Sequence, residues 1–274
     1  MTTSTVRVGP EWLRLREAAD AAARASELVE QVRQRLPADG RAAIHDLGCG
    51  TGSMGRWLGP QLTGTQHWIM YDRDAELLAQ AAADPPGVAA DWAGISIETR
   101  QRDITRLAPG ELANASLITA SALLDMMTAD ELDRLVTTCA EARCAVLVTL
   151  SVIGRVDLTP ADPLDKRIED AFNAHQRRTA DGRRLLGPDA VDAAVDAFTR
   201  LGNDVLVRPS PWRLGAAEAA LAAEWFTGWV GAACEQRPEL AAPAASYARR
   251  RLTEAGAGRL SATVHHQDLL AIPR

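Results

Sequence analysis

Short apolar runs alternate with amphipathic stretches from residue 41 to residue 151. Residues 41–47, 65–71, 95–100, 116–121 and 144–151 read as five strands. The fifth is apolar almost throughout, as expected of a strand buried on both faces. Helices are expected from near Ser53, over 75–83 and over 130–143, with Thr128 and Asp130 as plausible caps of the last. Strand–helix alternation of this kind favours a parallel sheet covered on both faces. Ahead of it, 11–36 reads as one helix. Trp12, Leu15, Ala19, Ala22, Val29, Val32 and Leu36 fall near a 3.6-residue period, Asp20 and Arg24 form an i,i+4 pair, and the segment from Pro37 to Gly40 breaks the helix. The second half is mostly helical, over 162–178, 188–201, 216–234 and 243–255, with strands at 204–208 and 261–272. No internal repeat or low-complexity linker divides the chain. The expected organisation is a helical cap over 1–40 and one α/β domain over 41–274, with helical insertions at about 155–200 and 212–258.

Composition narrows the partners. The 274 residues are 47% hydrophobic and 24% charged, which excludes a fibrous or wholly disordered chain. A net charge of −6 offers nucleic acid no electrostatic attraction. All basic residues but Lys166 are arginine, which together with the abundant alanine reads mainly as the mark of a GC-rich, bacterial genome. Cys49, Cys139, Cys144 and Cys234 include no CxxC pair, so neither a zinc site nor a disulfide framework is expected. Free thiols, no signal-like apolar core over 1–10 and no run near the ~18 apolar residues of a membrane span point to the cytoplasm and away from membranes.

The most informative segment is Ile44-His45-Asp46-Leu47-Gly48-Cys49-Gly50-Thr51-Gly52. A strand delivers the chain into a turn with glycine at every second position, where positive φ and close backbone approach to a ligand are permitted. The following helix presents free N–H groups and a positive dipole end. Gly50, Gly52 and Gly55 also satisfy GxGxxG, so a dinucleotide site and a ligand-free tight turn are both compatible with the glycines alone. Asp72, followed by Arg73, ends the second strand, where a carboxylate can accept from ribose hydroxyls; Asp74 suits a helix cap better. Asp103-Ile104 follows the third strand and could meet an adenine edge and face, although an ordinary loop acid fits equally.

Together Asp46-Leu-Gly-Cys-Gly-Thr-Gly52, Asp72, Asp103-Ile104 and Ser121 resemble the class I S-adenosylmethionine-dependent methyltransferase family, over roughly residues 40–151 and loosely at the last strand. The resemblance implies a Rossmann-like, mainly parallel seven-stranded sheet with helices on both faces and an antiparallel last strand. It implies S-adenosylmethionine as cofactor. Gly48, Cys49, Gly50 and Gly52 would lie beside its methionine moiety, and Asp46 would hold its amino end directly or through water. Asp72, with Arg73 beside it, would bind the ribose, Asp103 and Ile104 the adenine, and Ser121 would sit below the sulfonium. No metal is implied, and no dense cluster of His, Asp and Glu suggests one.

The loop after the fourth strand, Ser121-Ala-Leu-Leu-Asp-Met-Met127, lacks the Asn/Asp-Pro-Pro-Tyr motif of relatives that act on DNA bases or protein amides. It looks more like the loop of small-molecule methyltransferases. Asp125 is the first candidate for acceptor positioning or proton removal, weighed against a loop acid without chemistry. His175 is a second candidate base, weighed against an exposed helical histidine. His45, His67, His265 and His266 read as structural. Arg177-Arg178 and Arg183-Arg184 could grip an acidic substrate or lie on a solvated face. Leu221, Trp225 and Trp229, near Phe226 and Trp212, read first as packing and second as a pocket wall. Trp12 and Arg16 could form a lid. The expected activity is methyl transfer to O, N or C of a small molecule in specialised metabolism. Three rivals remain: an RNA methyltransferase with a basic cleft around Arg177–Arg184 and Arg249–Arg251, a binding protein without turnover, and an NAD(P)-dependent oxidoreductase, for which a Tyr-x-x-x-Lys pair is lacking.

Overall fold

The alternating half of the chain folds into a doubly wound sheet. The computed structural model describes residues 9–37 and 40–274. Residues 38–39 of the break expected from Pro37 to Gly40 and residues 1–8 of the cap therefore lie outside the described residues.

Strands β1 (Arg41–Leu47), β2 (Thr65–Asp72), β3 (Ile95–Gln101), β4 (Leu117–Ser121) and β5 (Ala145–Thr159) are parallel. Strands β6 (Thr179–Ala180) and β7 (Arg183–Arg184) form a separate two-residue hairpin. Strands β8 (Asn203–Pro209), β9 (Trp212–Leu214) and β10 (Ser261–Pro273) complete the main sheet, in the order β3-β2-β1-β4-β5-β10-β8. The last strand runs antiparallel to β5 on one side and β8 on the other. Seven strands lie along this path, as expected, and β9 adds an eighth by pairing with Ala262–Val264.

One face of the sheet packs on α5 (Ala129–Glu141) and α7 (Ala190–Arg200), through Leu132, Leu135, Val136, Ala194 and Phe198. The other packs on α2 (Ser26–Arg33), α3 (Ser53–Leu58) and α4 (Ala75–Ala83), through Leu28, Val29, Met54, Leu58 and Leu78. The capping box expected at Thr128 is present, with Glu131 reaching back to the Thr128 N–H. A third core lies above the carboxyl ends of the strands. It joins α1 (Pro10–Ala23), α6 (Asp165–Gln176), α8 (Ala219–Gln236) and α9 (Ala241–Gly256) to β9 and the outer half of β10. Trp225, Phe226, Trp229 and Trp212 belong to it, so the aromatic stripe is packing.

Two expectations need correction. The helix over 11–36 is two helices, because Arg24 and Ala25 take extended conformations between α1 and α2. The Ala25 N–H that leaves the helical ladder is taken by the carboxylate of Asp268 at 2.8 Å. The fifth strand runs eight residues beyond Ser151, to Thr159, because its second half pairs with the outer half of β10. The two halves of β5 are offset by a bulge at Leu150, whose φ is +57°. The Leu150 N–H donates to the other oxygen of Asp268, at 2.7 Å.

Asp268 is fully buried and satisfies two buried backbone donors. Asp268→Ala leaves both N–H groups without a partner, which is expected to cost about 3 kcal/mol. Urea denaturation should show this loss, whereas Asp204→Ala, which breaks an exposed pair with Arg274, should change stability by less than about 0.5 kcal/mol.

Candidate active site

Asp46 is the penultimate residue of β1, and its side chain is buried. One carboxylate oxygen accepts from Thr119 Oγ1 on β4 at 2.8 Å, and the other has no partner among the described residues. Burial pushes its pKa up to about 6. The chain then turns through Gly48, Gly50 and Gly52, with φ of +68°, +56° and +86°. These angles favour glycine, and space does too: a Cβ at Gly48 would lie 3.1 Å from Leu123, and one at Gly50 3.1 Å from Leu13. Gly52 is the left-handed N-cap of α3. At the end of β2, Asp72 ties this turn to the next, accepting from Gly50 N at 3.0 Å and from Asp74 N at 2.9 Å. Asp74 caps α4, as expected.

These ends open into one cavity of ≈ 740 Å³, within the range of about 300–1,000 Å³ usual for small-molecule sites. All the candidate site residues except Gly52 line it: Asp46, Gly48, Cys49, Gly50, Asp72, Arg73, Asp103, Ile104, Ser121, Asp125 and His175. Gly52 faces away, toward Ala81 of α4. Asp103 also caps the short turn after β3, its Oδ1 accepting from Thr105 N and Oγ1. Cys49 is buried and its thiol pKa is raised by burial, so it offers no ready nucleophile.

The N-terminal helix roofs the cavity. Leu13, Arg16 and Asp20 line it, while Trp12 packs edge-on against Trp212 at 6.3 Å. Of the two lid candidates, Arg16 lines the cavity and Trp12 does not. The expected Asp20–Arg24 pair is replaced: Asp20 accepts from Arg16 Nε at 2.8 Å and from Trp212 Nε1 at 2.9 Å. Arg24 is buried instead, its Nη2 3.2 Å from Ser121 Oγ and 3.4 Å from Ser53 Oγ, its guanidinium over Trp57. Its Nε and Nη1 have no partner among the described residues, and burial lowers its pKa. The motifs do not point to Arg24. The one signal is an arginine set in the small-residue run 21–25.

The far end of the cavity is built by the loop after β4, by α6, by the β6–β7 hairpin and by α8. Asp125 sits in a 3₁₀ turn, with its pKa raised by burial and no side-chain partner among the described residues. His175, the second candidate base, is partly buried and both its ring nitrogens have neighbours. Its Nε2 lies 3.2 Å from Glu235 Oε2 and its Nδ1 3.3 Å from Arg178 Nη1. The neutral tautomer that donates to Glu235 and accepts from Arg178 satisfies both, and burial lowers its pKa. Gln176 Oε1 is buried without a partner and lines the same space. Among the four arginines flanking the hairpin, Arg178 and Arg183 line the cavity, while Arg177 turns to Asp189. The triplet at 249–251 is partly consumed internally. Arg251 is buried against Asp165 and Glu254, and Arg250 bonds Asp162.

Among the described residues no group of three or more His, Cys, Asp or Glu could hold a metal ion, and no helix is long and apolar enough to cross a membrane. A family model described as a methyltransferase domain matches residues 44–143. No curated protein matches the sequence. The cyclopropane synthase MmaA2 from Mycobacterium tuberculosis is 12% identical, with 96% of this chain and 94% of that chain covered and a TM-score of 0.51. At that identity the likeness is one of fold. An S-adenosylmethionine-dependent methyltransferase from Geobacter sulfurreducens, solved with S-adenosyl-L-homocysteine, is 15% identical over 97% of this chain and 99% of that chain, with a TM-score of 0.47.

The unpaired carboxylate of Asp46 has a measurable cost. Its folded pKa is raised above the unfolded value, so its ionisation opposes folding: the cost appears as pH rises above about 4 and is complete above about 6. Ligand-free Asp46→Asn is therefore expected to be more stable than the wild type at pH 8, by up to about 3 kcal/mol. The two should converge near pH 4 in urea melts. A gap that widens toward acid would contradict this account.

Proposed function

We propose that this chain is a class I S-adenosylmethionine-dependent methyltransferase, a reading that the match of residues 44–143 to a methyltransferase domain supports, and that it transfers a methyl group from S-adenosylmethionine to an O, N or C atom of a small-molecule acceptor, releasing S-adenosylhomocysteine. The observation that carries the binding half of this reading is the buried carboxylate oxygen of Asp46, unpaired at the mouth of the glycine turn. Such a group is retained in a folded protein when a ligand completes it. The cofactor ends in an α-amino acid, and the donor end of the cavity offers charges of both signs for it. Asp46 would take the ammonium, and Arg24, behind Ser53 and Ser121, would favour the carboxylate. Gly48 and Gly50 leave room for its backbone-close approach, and Asp72 and Arg73 would bind the ribose and Asp103 and Ile104 the adenine, all of them lining the cavity. When bound, S-adenosylmethionine supplies a methyl group already activated by its sulfonium.

What remains for the protein is alignment and exclusion of water. The roof of α1 and the walls of α6 and α8 enclose the site, and this supports a small acceptor over a polynucleotide. Asp125 is the group placed to accept a proton from an acceptor hydroxyl or amine. Its raised pKa suits a base more than an ordinary surface carboxylate would.

Calorimetry tests the reading. The wild type is expected to bind S-adenosylmethionine and S-adenosylhomocysteine, and Gly50→Arg or Asp72→Ala to weaken both at least ~100-fold through a blocked cradle or a lost ribose contact. An ammonium requires ionised Asp46, so affinity should be full above pH 7 and fall by up to ~10-fold per pH unit below 6. Asp46→Asn should bind weakly at every pH. A wild type that ignores both compounds at millimolar concentration refutes the proposal.

A further inference from the structure

Arginines around the cavity are mostly tied down. Arg16 is held by Asp20 at 2.8 Å, Arg183 by Glu131 at 2.6 Å, and Arg102 faces Glu111 at 3.4 Å. Arg178 differs. Its Nη1 donates to the carbonyl oxygen of His175 at 2.9 Å and faces His175 Nδ1 at 3.3 Å, while its Nε and Nη2 meet no acceptor among the described residues. No carboxylate of the described residues forms an ion pair with it. The guanidinium is thus oriented from one edge only, with the other edge open on the wall of the cavity.

The orientation is itself supported. Glu235 holds the Nε2 side of His175, which fixes the neutral tautomer whose Nδ1 accepts from Arg178. Carboxylate, imidazole and guanidinium form a chain from α8 through the end of α6 to the approach of the β6–β7 hairpin. Beside it, Gln176 offers a buried carbonyl oxygen without a donor. Phe172 and Leu185 supply apolar wall around these polar groups.

We propose that Arg178, held by the His175–Glu235 pair, is the specificity residue for the acceptor, and that the acceptor is a small molecule bearing a carboxylate. A planar guanidinium with two adjacent free donors matches a carboxylate bidentately. The unpartnered Gln176 oxygen would accept from an N–H or O–H on the same molecule. This assignment rests on the methyltransferase reading of the site and adds the chemical class of its acceptor. His175 is a positioning residue in this scheme, acting through Arg178.

The test uses the full chain saturated with S-adenosylhomocysteine and three matched pairs: benzoate and benzamide, salicylate and salicylamide, anthranilate and anthranilamide. Calorimetry is expected to show the acids binding at least ~10-fold more tightly than their amides. Arg178→Gln should erase that difference while leaving S-adenosylhomocysteine affinity within twofold of the wild type. Arg183→Gln, which breaks an internal pair, should keep the preference. For any pair member that accepts radiolabelled methyl, His175→Ala should raise KM for the acid about tenfold with kcat unchanged, a split that a general loss of folding would not produce. Acids and amides that bind alike, or acids that do not bind at 10 mM, overturn the acceptor assignment. If S-adenosylhomocysteine itself fails to bind, the methyltransferase reading falls, and the acceptor assignment with it.

Discussion

The buried carboxylate of Asp268 is the constraint from which the site's geometry follows. It accepts from Leu150 at the bulge of β5 and from Ala25 at the break between α1 and α2. The first contact stabilises the offset that lets β5 continue past the sheet proper and pair with the outer half of β10. The second pins the N-terminal helices to the middle of the sheet. With Ala25 fixed, Arg24 is carried under the cavity to Ser53 and Ser121, and α1 is laid over it with Leu13, Arg16 and Asp20 facing inward. Trp212, on the short strand β9, closes the loop by donating to Asp20. The roof is therefore held by charge-assisted bonds to residues some 190 to 240 positions away in sequence, not by local helix propensity.

The core of the fold was legible because its physics is local. Alternating periods of two and 3.6, capping residues such as Thr128 and Asp74, and glycines in forced conformations all leave their mark within a few residues. The donor end of the site was legible for the same reason, since Asp46, Gly48, Gly50, Asp72 and Asp103 each stand at the end of a strand that the pattern places. Gly52 alone of these candidates does not line the cavity, because one glycine of such a turn serves the helix it starts rather than the space in front of it.

What the sequence concealed depends on distant partners. Nothing near Arg24 reveals that its side chain will be buried, because the groups that surround it come from Ser53, Trp57 and Ser121. A helix break without proline or glycine, such as that at Arg24-Ala25, is invisible when the signal is a carboxylate far along the chain. His175 shows the converse. A histidine in a helix after the fifth strand suggests a base, yet Arg178 one turn on and Glu235 from α8 take both ring nitrogens and leave it an orienting role.

The distribution of incomplete polar groups gives the cavity a direction. Among the described residues, one oxygen of Asp46 lacks a donor and Arg24 Nε and Nη1 lack acceptors at one end; at the other, Gln176 Oε1 lacks a donor and Arg178 has an open edge. Between them Asp125 stands without a side-chain partner. Each buried group left unmade costs the ligand-free protein on the order of 1–3 kcal/mol, and together they are a large fraction of the stability of an ordinary domain. A chain that satisfies both oxygens of Asp268 and of Asp20 with direct bonds has the means to satisfy other buried groups in the same way. Two of the buried oxygens without a donor among the described residues, those of Asp46 and Gln176, line the same enclosed space, with Asp125 of raised pKa also on its wall. That placement is the physical argument for two polar ligands meeting there: one at the glycine turn and one against α6.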